Sequence, residues 1–229
     1  MNHPEISYLA GMRRRTIFQL LRPISALVAR QLSHPSGWIG RHVMTRVLNR
    51  GNRELITSAL DSLRLSSETR LLDVGFGGGL SLQLAHERGL AKLFGVERSL
   101  AAVEQFSSRH PDWIRRGELT LAQGTVERLP LDEAAVDAII STNTVYFWTD
   151  LAAAFSDLHR VLAPGGQLAL GFSSVQKLRS FDPVTRHGFL YYPSEEIVER
   201  ARNAGFTEVR LSELRGRDTE ADCLLNAMR

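Results

Sequence analysis

The stretch Leu71-Leu72-Asp73-Val74-Gly75-Phe76-Gly77-Gly78-Gly79 decides the fold class of this 229-residue chain. It places an acidic residue at the end of a short apolar strand and glycines at alternate positions before a helical pattern. Glycines at such a turn let a ligand approach the backbone and the N-terminus of the helix, because no side chain blocks the way. The stretch predicts a nucleotide-type loop, although glycine-rich turns also occur for packing alone.

Alternating strand and helix patterns extend from this stretch in both directions. Apolar runs bounded by turn residues predict strands, and apolar residues at helical spacing predict helices. This alternation is typical of a mainly parallel sheet covered by helices on both faces. We expect a turn at 163–166 and an irregular segment at 174–192. The predicted strands are 70–74, 92–96, 118–122, 136–141, 167–172, 207–214 and 222–228, and the predicted helices are 39–49, 52–63, 79–88, 99–109, 150–162 and 193–203.

The glycine pattern distinguishes this turn from a dinucleotide-binding turn. The dinucleotide fingerprint needs glycine at its first, third and sixth positions, whereas Gly75 and Gly77 are followed by Leu80 at the sixth. Glu97 ends the second predicted strand, where a carboxylate can accept two hydrogen bonds from vicinal ribose hydroxyls. The sequence therefore disfavours a pyrophosphate site and favours a nucleoside ligand, with an exposed glutamate at a strand end as the alternative.

Five motifs stand in the order and spacing of class I S-adenosylmethionine-dependent methyltransferases. The chain resembles this family strongly over residues 68–173 and by architecture elsewhere. It looks like the small-molecule branch that includes the ubiquinone/menaquinone-type methyltransferases. The resemblance implies an α/β, Rossmann-like fold with a mainly parallel seven-stranded sheet and an antiparallel last strand, plus an N-terminal helical extension. The motifs are Leu72–Gly79, Gly95-Val96-Glu97, Gly124–Pro130, Val136–Ser141 and Leu158–Leu168.

The resemblance also assigns cofactor-binding roles by position. It implies that Asp73 lies near the methionine amine and that the glycines line the methionine and ribose portion. Glu97 would hold the ribose hydroxyls, with Arg98 beside the adenine. Thr125 stands where the family often has an aspartate, so its hydroxyl or the Val126 backbone would serve the adenine amino group. The implied set is Asp73, Gly75, Gly77, Gly79, Glu97, Arg98, Thr125, Val126, Ser141, Thr142 and Asn143, of which the last three would border the sulfonium and the substrate entrance.

The substrate side is predicted less sharply. Tyr146, Phe147 and Trp148 favour a small, apolar or aromatic metabolite, although packing of the next helix explains them equally well. Methyl transfer then needs mainly proximity, orientation and a dry site. Asn143-Thr144-Val145-Tyr146 lacks the two prolines of the Asn-Pro-Pro-Tyr turn, which disfavours amines of bases or glutamine. If the acceptor is a hydroxyl, the candidate general bases are His34, Tyr146, His187 and Tyr191, with Tyr192 beside them.

We expect residues 1–53 to form a basic helical extension or lid before a methyltransferase domain at 54–229. Nine arginines and one acidic residue, Glu5, fall in the extension. Such a segment packs on its own protein or contacts a membrane surface through residues 12–30, and nucleic acid is a less favoured partner. No uninterrupted apolar run approaches the roughly 20 residues that cross a bilayer.

The cysteine and histidine content excludes further classes. A single cysteine, Cys223, excludes an internal disulfide and a zinc site built from several cysteines, which fits a reducing, cytoplasmic location. No cluster of histidines and carboxylates has metal-ligand spacing, so we predict no metal. Two alternatives to a small-metabolite enzyme stay open, namely a membrane-associated lipid or quinone methyltransferase and a non-catalytic S-adenosylmethionine- or nucleotide-binding module. The oligomeric state is not specified.

Overall fold

A computed structural model describes residues 45–180, 188–214 and 222–229, with side chains described from residue 52 onward. Helices and strands alternate along most of this part of the chain. The helices are α1 (Thr45–Asp61), α2 (Leu80–Glu87), α3 (Leu100–Arg109), α4 (Pro111–Arg115), α5 (Leu151–Val161), α6 (Val175–Ser180) and α7 (Ser194–Asn203), with a 3-10 turn at Val145–Phe147. The strands are β1 (Arg70–Val74), β2 (Lys92–Glu97), β3 (Leu119–Gln123), β4 (Val136–Thr142), β5 (Leu162–Ser173), β6 (Thr207–Leu214) and β7 (Asp222–Met228).

These strands form one seven-stranded sheet in the order β3-β2-β1-β4-β5-β7-β6. The first five strands in the chain pair in parallel, while β7 runs antiparallel to both β5 and β6. The predicted Rossmann-like fold with an antiparallel last strand is confirmed. The parallel arrangement follows from the helical connections, because a parallel neighbour can be reached only by a crossover.

Side chains of the central strands alternate between two apolar cores, one on each face of the sheet. In β1, Leu72 belongs to the core that contains Phe155 and Phe172, whereas Leu71 belongs to the core that contains Leu60. Both β1 leucines are fully buried. Burial on both faces explains why these strands read as continuous apolar runs in the sequence. It also fixes where β1 ends, and so where the glycine turn begins.

Local sequence signals gave three wrong expectations about the elements. Helices at 39–49 and 52–63 were expected separately, but α1 runs continuously through Gly51 because its apolar face packs against β4 and β5. Residues 163–166 belong to β5 and not to a turn, and the Gly165 N–H donates to the Arg229 carbonyl at 3.1 Å. The segment 174–192 contains the short helix α6.

Several sequence predictions fall on residues that the structure does not describe. These include His34 and the basic segment 12–30 of the N-terminal extension, as well as His187. The proposed domain boundary after Arg53 lies within α1, and the division into extension and domain stays a prediction. In the described ranges, no helix has the length and apolar character needed to span a membrane, and no three metal-binding side chains cluster.

Candidate active site

The glycine turn, defined as Gly75–Gly79, joins β1 to α2 at the carboxyl edge of the parallel strands. Since β1 lies between β2 and β4, the chain leaves β1 at the point where the strand order reverses. In open α/β sheets, ligands bind in the crevice that forms at this position. The topology therefore places the turn where a nucleotide ligand is expected.

The backbone of the turn is left-handed at three glycines, with φ of 77° at Gly75, 50° at Gly77 and 77° at Gly79. The Gly75 N–H donates to the Val96 carbonyl at 2.7 Å, and the Gly79 N–H donates to the Phe76 carbonyl at 2.7 Å. No side chain caps the N-terminus of α2. The turn thus presents backbone groups and an uncapped helix end, and this arrangement suits a polar ligand.

The three left-handed glycines are needed for different reasons. A Cβ built at Gly77 meets no atom within 4 Å, so the space beside it is open. A Cβ at Gly75 would lie 2.4 Å from Thr144 Cγ2, and one at Gly79 would lie 1.9 Å from the Phe106 ring. Gly77 therefore leaves room for a ligand, whereas Gly79 leaves room for packing inside the protein. The contacts at Gly79 show that it is packed against Phe106, and its predicted place in the cofactor-binding set stays a prediction.

Glu97 at the end of β2 is linked directly to the glycine turn. Its Oε2 accepts a hydrogen bond from the Gly77 N–H at 3.1 Å, and its Oε1 accepts one from the Ser99 N–H at 3.0 Å. The side chain is half-buried, so the carboxylate keeps access to solvent. Because each carboxylate oxygen can accept more than one hydrogen bond, Glu97 retains capacity for the two hydroxyls of a ribose.

Asp73 is a buried acid beneath the same turn, with 2% of its surface exposed. The Ser81 hydroxyl donates to its Oδ2. Desolvation by burial raises the pKa of Asp73 to about 7, even though the hydrogen bond from Ser81 opposes the shift, and the nearby negative charge of Glu97 raises the pKa further. Two neighbouring acids of this kind favour a positively charged ligand, whose charge would stabilise the carboxylate form of Asp73.

Three other residues of the predicted cofactor-binding set differ in how far their side chains are buried. The Gly124 N–H donates to the Glu97 carbonyl at 3.1 Å, which places exposed Thr125 beside Glu97. The Val126 side chain is buried in the core, so only its backbone is available to a ligand. Arg98 is exposed, and its carbonyl accepts from Gln123 at 3.1 Å.

The end of β4 closes the other side of the turn. The fully buried Ser141 hydroxyl donates to the Val74 carbonyl at 2.7 Å and lies 2.5 Å from the Thr144 hydroxyl. Thr142 is half-buried next to it. Asn143 has a left-handed φ of 56°, which is unusual for a residue with a side chain. Ser141 therefore joins the ends of β1 and β4, and Asn143 starts the sharp turn that follows.

The three described tyrosines among the general-base candidates all contact other parts of the protein. Tyr146 is 4% exposed, donates to Asn143 Oδ1 at 3.0 Å and accepts from the Ser173 N–H. Desolvation by burial raises the pKa of Tyr146 far above its usual value, which disfavours the phenolate. Tyr191 is half-buried against the core, and Tyr192 donates to the Trp148 carbonyl at 2.7 Å. These contacts favour structural roles for Tyr146 and Tyr192.

Sequence reasoning missed several residues that shape the site. Ser81 is inside α2 and binds Asp73, and Thr144 packs on Gly75. Phe106 and Arg109 on α3 contact the glycine turn from the opposite side. The position of Ser81 in the first turn of the helix that follows Asp73 was a usable signal. In contrast, nothing in the local sequence around Phe106 or Arg109 indicated contact with a turn about 30 residues earlier.

Substitution of Gly77 by alanine tests whether the open space beside it holds the cofactor. We expect Gly77→Ala to weaken S-adenosylhomocysteine binding about three- to tenfold, because its methyl group would enter that space, and to cost about 1–2 kcal/mol of stability through the left-handed φ. Gly89→Ala is a matched control, since Gly89 also has a left-handed φ of 87° and open space around it. Calorimetric titration should show normal binding for Gly89→Ala. Equal affinities in both variants would contradict the placement.

Comparison with known proteins shows which kind of domain this chain resembles. Residues 72–170 match the model of a family described as a methyltransferase domain. The chain is 28% identical over 138 residues to the uncharacterized methyltransferase YdaC of Bacillus subtilis. The aligned stretch covers 57% of this chain and 74% of YdaC. The chain is 27% identical over 184 residues to erythromycin 3''-O-methyltransferase of Saccharopolyspora erythraea. The aligned stretch covers 73% of this chain and 60% of that enzyme.

Longer methyltransferases and solved structures also match this chain. The chain spans about half the length of the mycobacterial methyltransferases that it matches, since the aligned stretch covers 46% of each of them. Among solved structures, geranyl diphosphate C-methyltransferase from Streptomyces coelicolor, in complex with Mg²⁺, geranyl diphosphate and S-adenosylhomocysteine, superposes with a TM-score of 0.65 at 18% identity. That match covers 85% of each chain. The expected cofactor, S-adenosylmethionine, is confirmed by the matched family and its structural neighbours. Residues 72–170 therefore match a methyltransferase domain, and the similar proteins are methyltransferases, which supports an S-adenosylmethionine-dependent enzyme.

Proposed function

We propose that this enzyme transfers the methyl group of S-adenosylmethionine to a small, apolar or aromatic metabolite. The observation that carries the substrate class is an aromatic cluster on the turn that follows β4. Phe189 lies 5.7 Å from Tyr146 and 4.7 Å from Phe147, measured between ring centroids. Phe147 and Phe189 are only half-buried, so both rings keep an accessible apolar surface.

The backbone holds this aromatic cluster at the carboxyl edge of the sheet. The Leu190 N–H donates to the Tyr146 carbonyl at 2.8 Å, so the segment that carries Phe189 is fixed on the turn after β4. The same turn contains Thr144, whose methyl group packs against Gly75. We infer that an acceptor bound against Phe147 and Phe189 lies close to the methyl donor. An apolar wall at this position would also exclude water from the reaction.

The cofactor roles of the residues are part of the same proposal. Asp73 would hold the methionine ammonium group, Gly77 would face the methionine and ribose portion, and Glu97 would hold the ribose hydroxyls. Thr125 would lie toward the adenine. The fit rests on two observations, namely the open space beside Gly77 and the pair of acidic groups beneath and beside the turn. Both suit a ligand that combines a cationic amino acid portion with a nucleoside.

Methyl transfer requires little chemical participation by the side chains of the protein. When bound, S-adenosylmethionine supplies an electrophilic methyl group on a sulfonium, which a nucleophile can attack in line. The chain's own residues then orient the acceptor, exclude water and stabilise the charges of the cofactor. Tyr146 holds Asn143 and the end of β5 in place and does not need to titrate. His34, His187 and Tyr191 remain the proposed candidates if the acceptor proton must be removed.

Calorimetry and a methyl-transfer assay test this function. We expect the purified chain to bind S-adenosylhomocysteine and not NADH, and to transfer labelled methyl groups to small aromatic or apolar acceptors. Phe189→Ala should raise KM for such an acceptor about tenfold, while Phe189→Leu should retain most of the affinity, because it keeps apolar bulk. Ile114→Ala, on an exposed residue of α4, is the control. Preference for peptides or nucleic acid over every small acceptor would overturn the substrate class.

The proposal also includes a cytoplasmic location, and a non-catalytic binding module is the alternative to an enzyme. A cytoplasmic location fits the single cysteine, which is buried in β7 and has its pKa raised to about 11 chiefly by desolvation. Such a thiol is inert at neutral pH. A non-catalytic binding module predicts S-adenosylhomocysteine binding with no transfer to any acceptor. The methyl-transfer assay therefore separates this alternative from the enzyme.

A further inference from the structure

The glycine turn is held by contacts from the last turn of α3. Arg109 donates from Nη2 to the Gly78 carbonyl at 3.0 Å. The Phe106 ring occupies the space where a Cβ of Gly79 would lie. Neither α3 residue belongs to the cofactor-binding set that the sequence resemblance implies. Both contacts restrict the backbone of the turn at residues 78 and 79.

The peptide geometry shows what the contact from Arg109 controls. The Gly78 carbonyl and the Gly79 N–H belong to one planar peptide group, so fixing one end fixes the other. The Gly79 N–H donates to the Phe76 carbonyl, and inside the loop that this bond closes, the Gly77 N–H donates to Glu97. A rotation of the 78–79 peptide would therefore break the turn's own hydrogen bond and disturb the position of Gly77 relative to Glu97.

Glycine makes such a rotation inexpensive unless another contact prevents it. Gly77, Gly78 and Gly79 are consecutive, and glycine populates both signs of φ with little steric penalty. A loop of this composition loses much conformational entropy when it is ordered. External contacts that order the loop before the cofactor arrives reduce the entropy lost on binding.

Arg109 itself is held in one position by its surroundings. Its guanidinium carbon lies 5.1 Å from the centroid of the Phe106 ring, and its Nε donates to the Gln105 carbonyl at 3.3 Å. Phe106 is fully buried and contacts Phe76 at 5.6 Å and His110 at 4.5 Å between ring centroids. A flat guanidinium stacked on a fixed ring loses little freedom when it donates to a carbonyl.

We propose that Arg109 is a positioning residue for cofactor binding, which orders the 78–79 peptide of the glycine turn before the cofactor binds. Phe106 supports this role by filling the space under Gly79 and by stacking on Arg109. The inference rests on the proposed use of the turn as the cofactor site. Its first test, however, requires no ligand, so the two proposals can fail separately.

Amide hydrogen exchange in the ligand-free, full-length protein is the first test. Arg109→Ala should increase exchange at the Gly79 N–H by about fivefold, because the peptide loses its charged donor. Arg109→Lys should show a smaller increase, since lysine can donate to the carbonyl but cannot stack as a plane. Arg115→Ala is the matched control, because Arg115 is mostly exposed, pairs with Asp112 and carries the same charge.

Calorimetric titration with S-adenosylhomocysteine is the second test, on the same variants. Arg109→Ala should weaken binding about fivefold with an unchanged melting temperature, and Arg109→Lys should recover part of the loss. Unchanged Gly79 exchange in Arg109→Ala would overturn the inference whatever the affinity. Faster Gly79 exchange with unchanged affinity would overturn the link to binding. If the wild-type chain did not bind S-adenosylhomocysteine, the proposed function would fail, and the exchange result would still decide whether Arg109 orders the turn.

Discussion

Glu97→Ala is expected to weaken S-adenosylhomocysteine binding by about 10- to 100-fold, with the fold retained. The carboxylate would accept charge-assisted hydrogen bonds from the ribose hydroxyls, and such bonds contribute about 1.5–3 kcal/mol together. The same carboxylate accepts from the Gly77 N–H, so its loss also releases the glycine turn. Both effects reduce affinity. Isothermal titration calorimetry of the wild type and the variant measures the change directly.

Two further variants make this result specific. Glu97→Gln keeps the shape of the side chain and one acceptor oxygen, so we expect an affinity between those of the wild type and Glu97→Ala. Glu104→Ala removes an equal charge from an exposed position on α3 and should bind normally. A loss of affinity in Glu104→Ala that matched the loss in Glu97→Ala would mean that net charge, and not the ribose contact, determines binding.

Asp73→Asn is expected to become more stable relative to the wild type as the pH rises from acid to neutral. Burial raises the pKa of Asp73 from 3.8 to about 7, so the folded protein holds a proton that the unfolded chain has already lost. The wild type has this stabilisation in full below the unfolded pKa and loses it as the pH rises through the folded pKa. The neutral amide of asparagine has no such dependence.

The size of the effect follows from the shift in the pKa. Between pH 4.5 and 7.5, the difference in unfolding free energy between Asp73→Asn and the wild type should change by about 3 kcal/mol in favour of the variant. Urea denaturation of the ligand-free proteins at three pH values in this range measures the difference. Parallel stability curves for the two proteins would show that Asp73 is ionised in the folded state throughout.

Asp137→Asn provides a control of opposite sign. The hydrogen bond from the Arg70 side chain lowers the pKa of Asp137, so this carboxylate stabilises the fold above its unfolded pKa. The stabilisation is lost as the pH falls through the folded pKa. Asp137→Asn should therefore be less stable than the wild type at neutral pH, and the gap should narrow in acid. Opposite trends in the two variants exclude a general effect of removing an acid.

Most of the fold was predictable from the sequence because the information is local. Continuous apolar runs at β1 and β4 predict strands that are buried on both faces, and both strands lie in the centre of the sheet. The glycine turn and Glu97 predict a nucleoside-type site, because glycines after a strand and an acid at the end of the next strand have few other uses together. The turn and Glu97 do meet, at 3.1 Å.

What the sequence determined by itself, then, is the order of strands and helices, the position of the glycine turn and the acids near it. Only the tertiary structure decided which glycine faces open space and which faces Phe106, because that depends on a helix packed from elsewhere in the chain. It also decided that Tyr146 is buried in hydrogen bonds, and that residues 163–166 extend β5. The physical reason is the same in each case: local patterns specify backbone preference and polarity, whereas contacts between distant segments specify burial, and burial sets both pKa and accessibility.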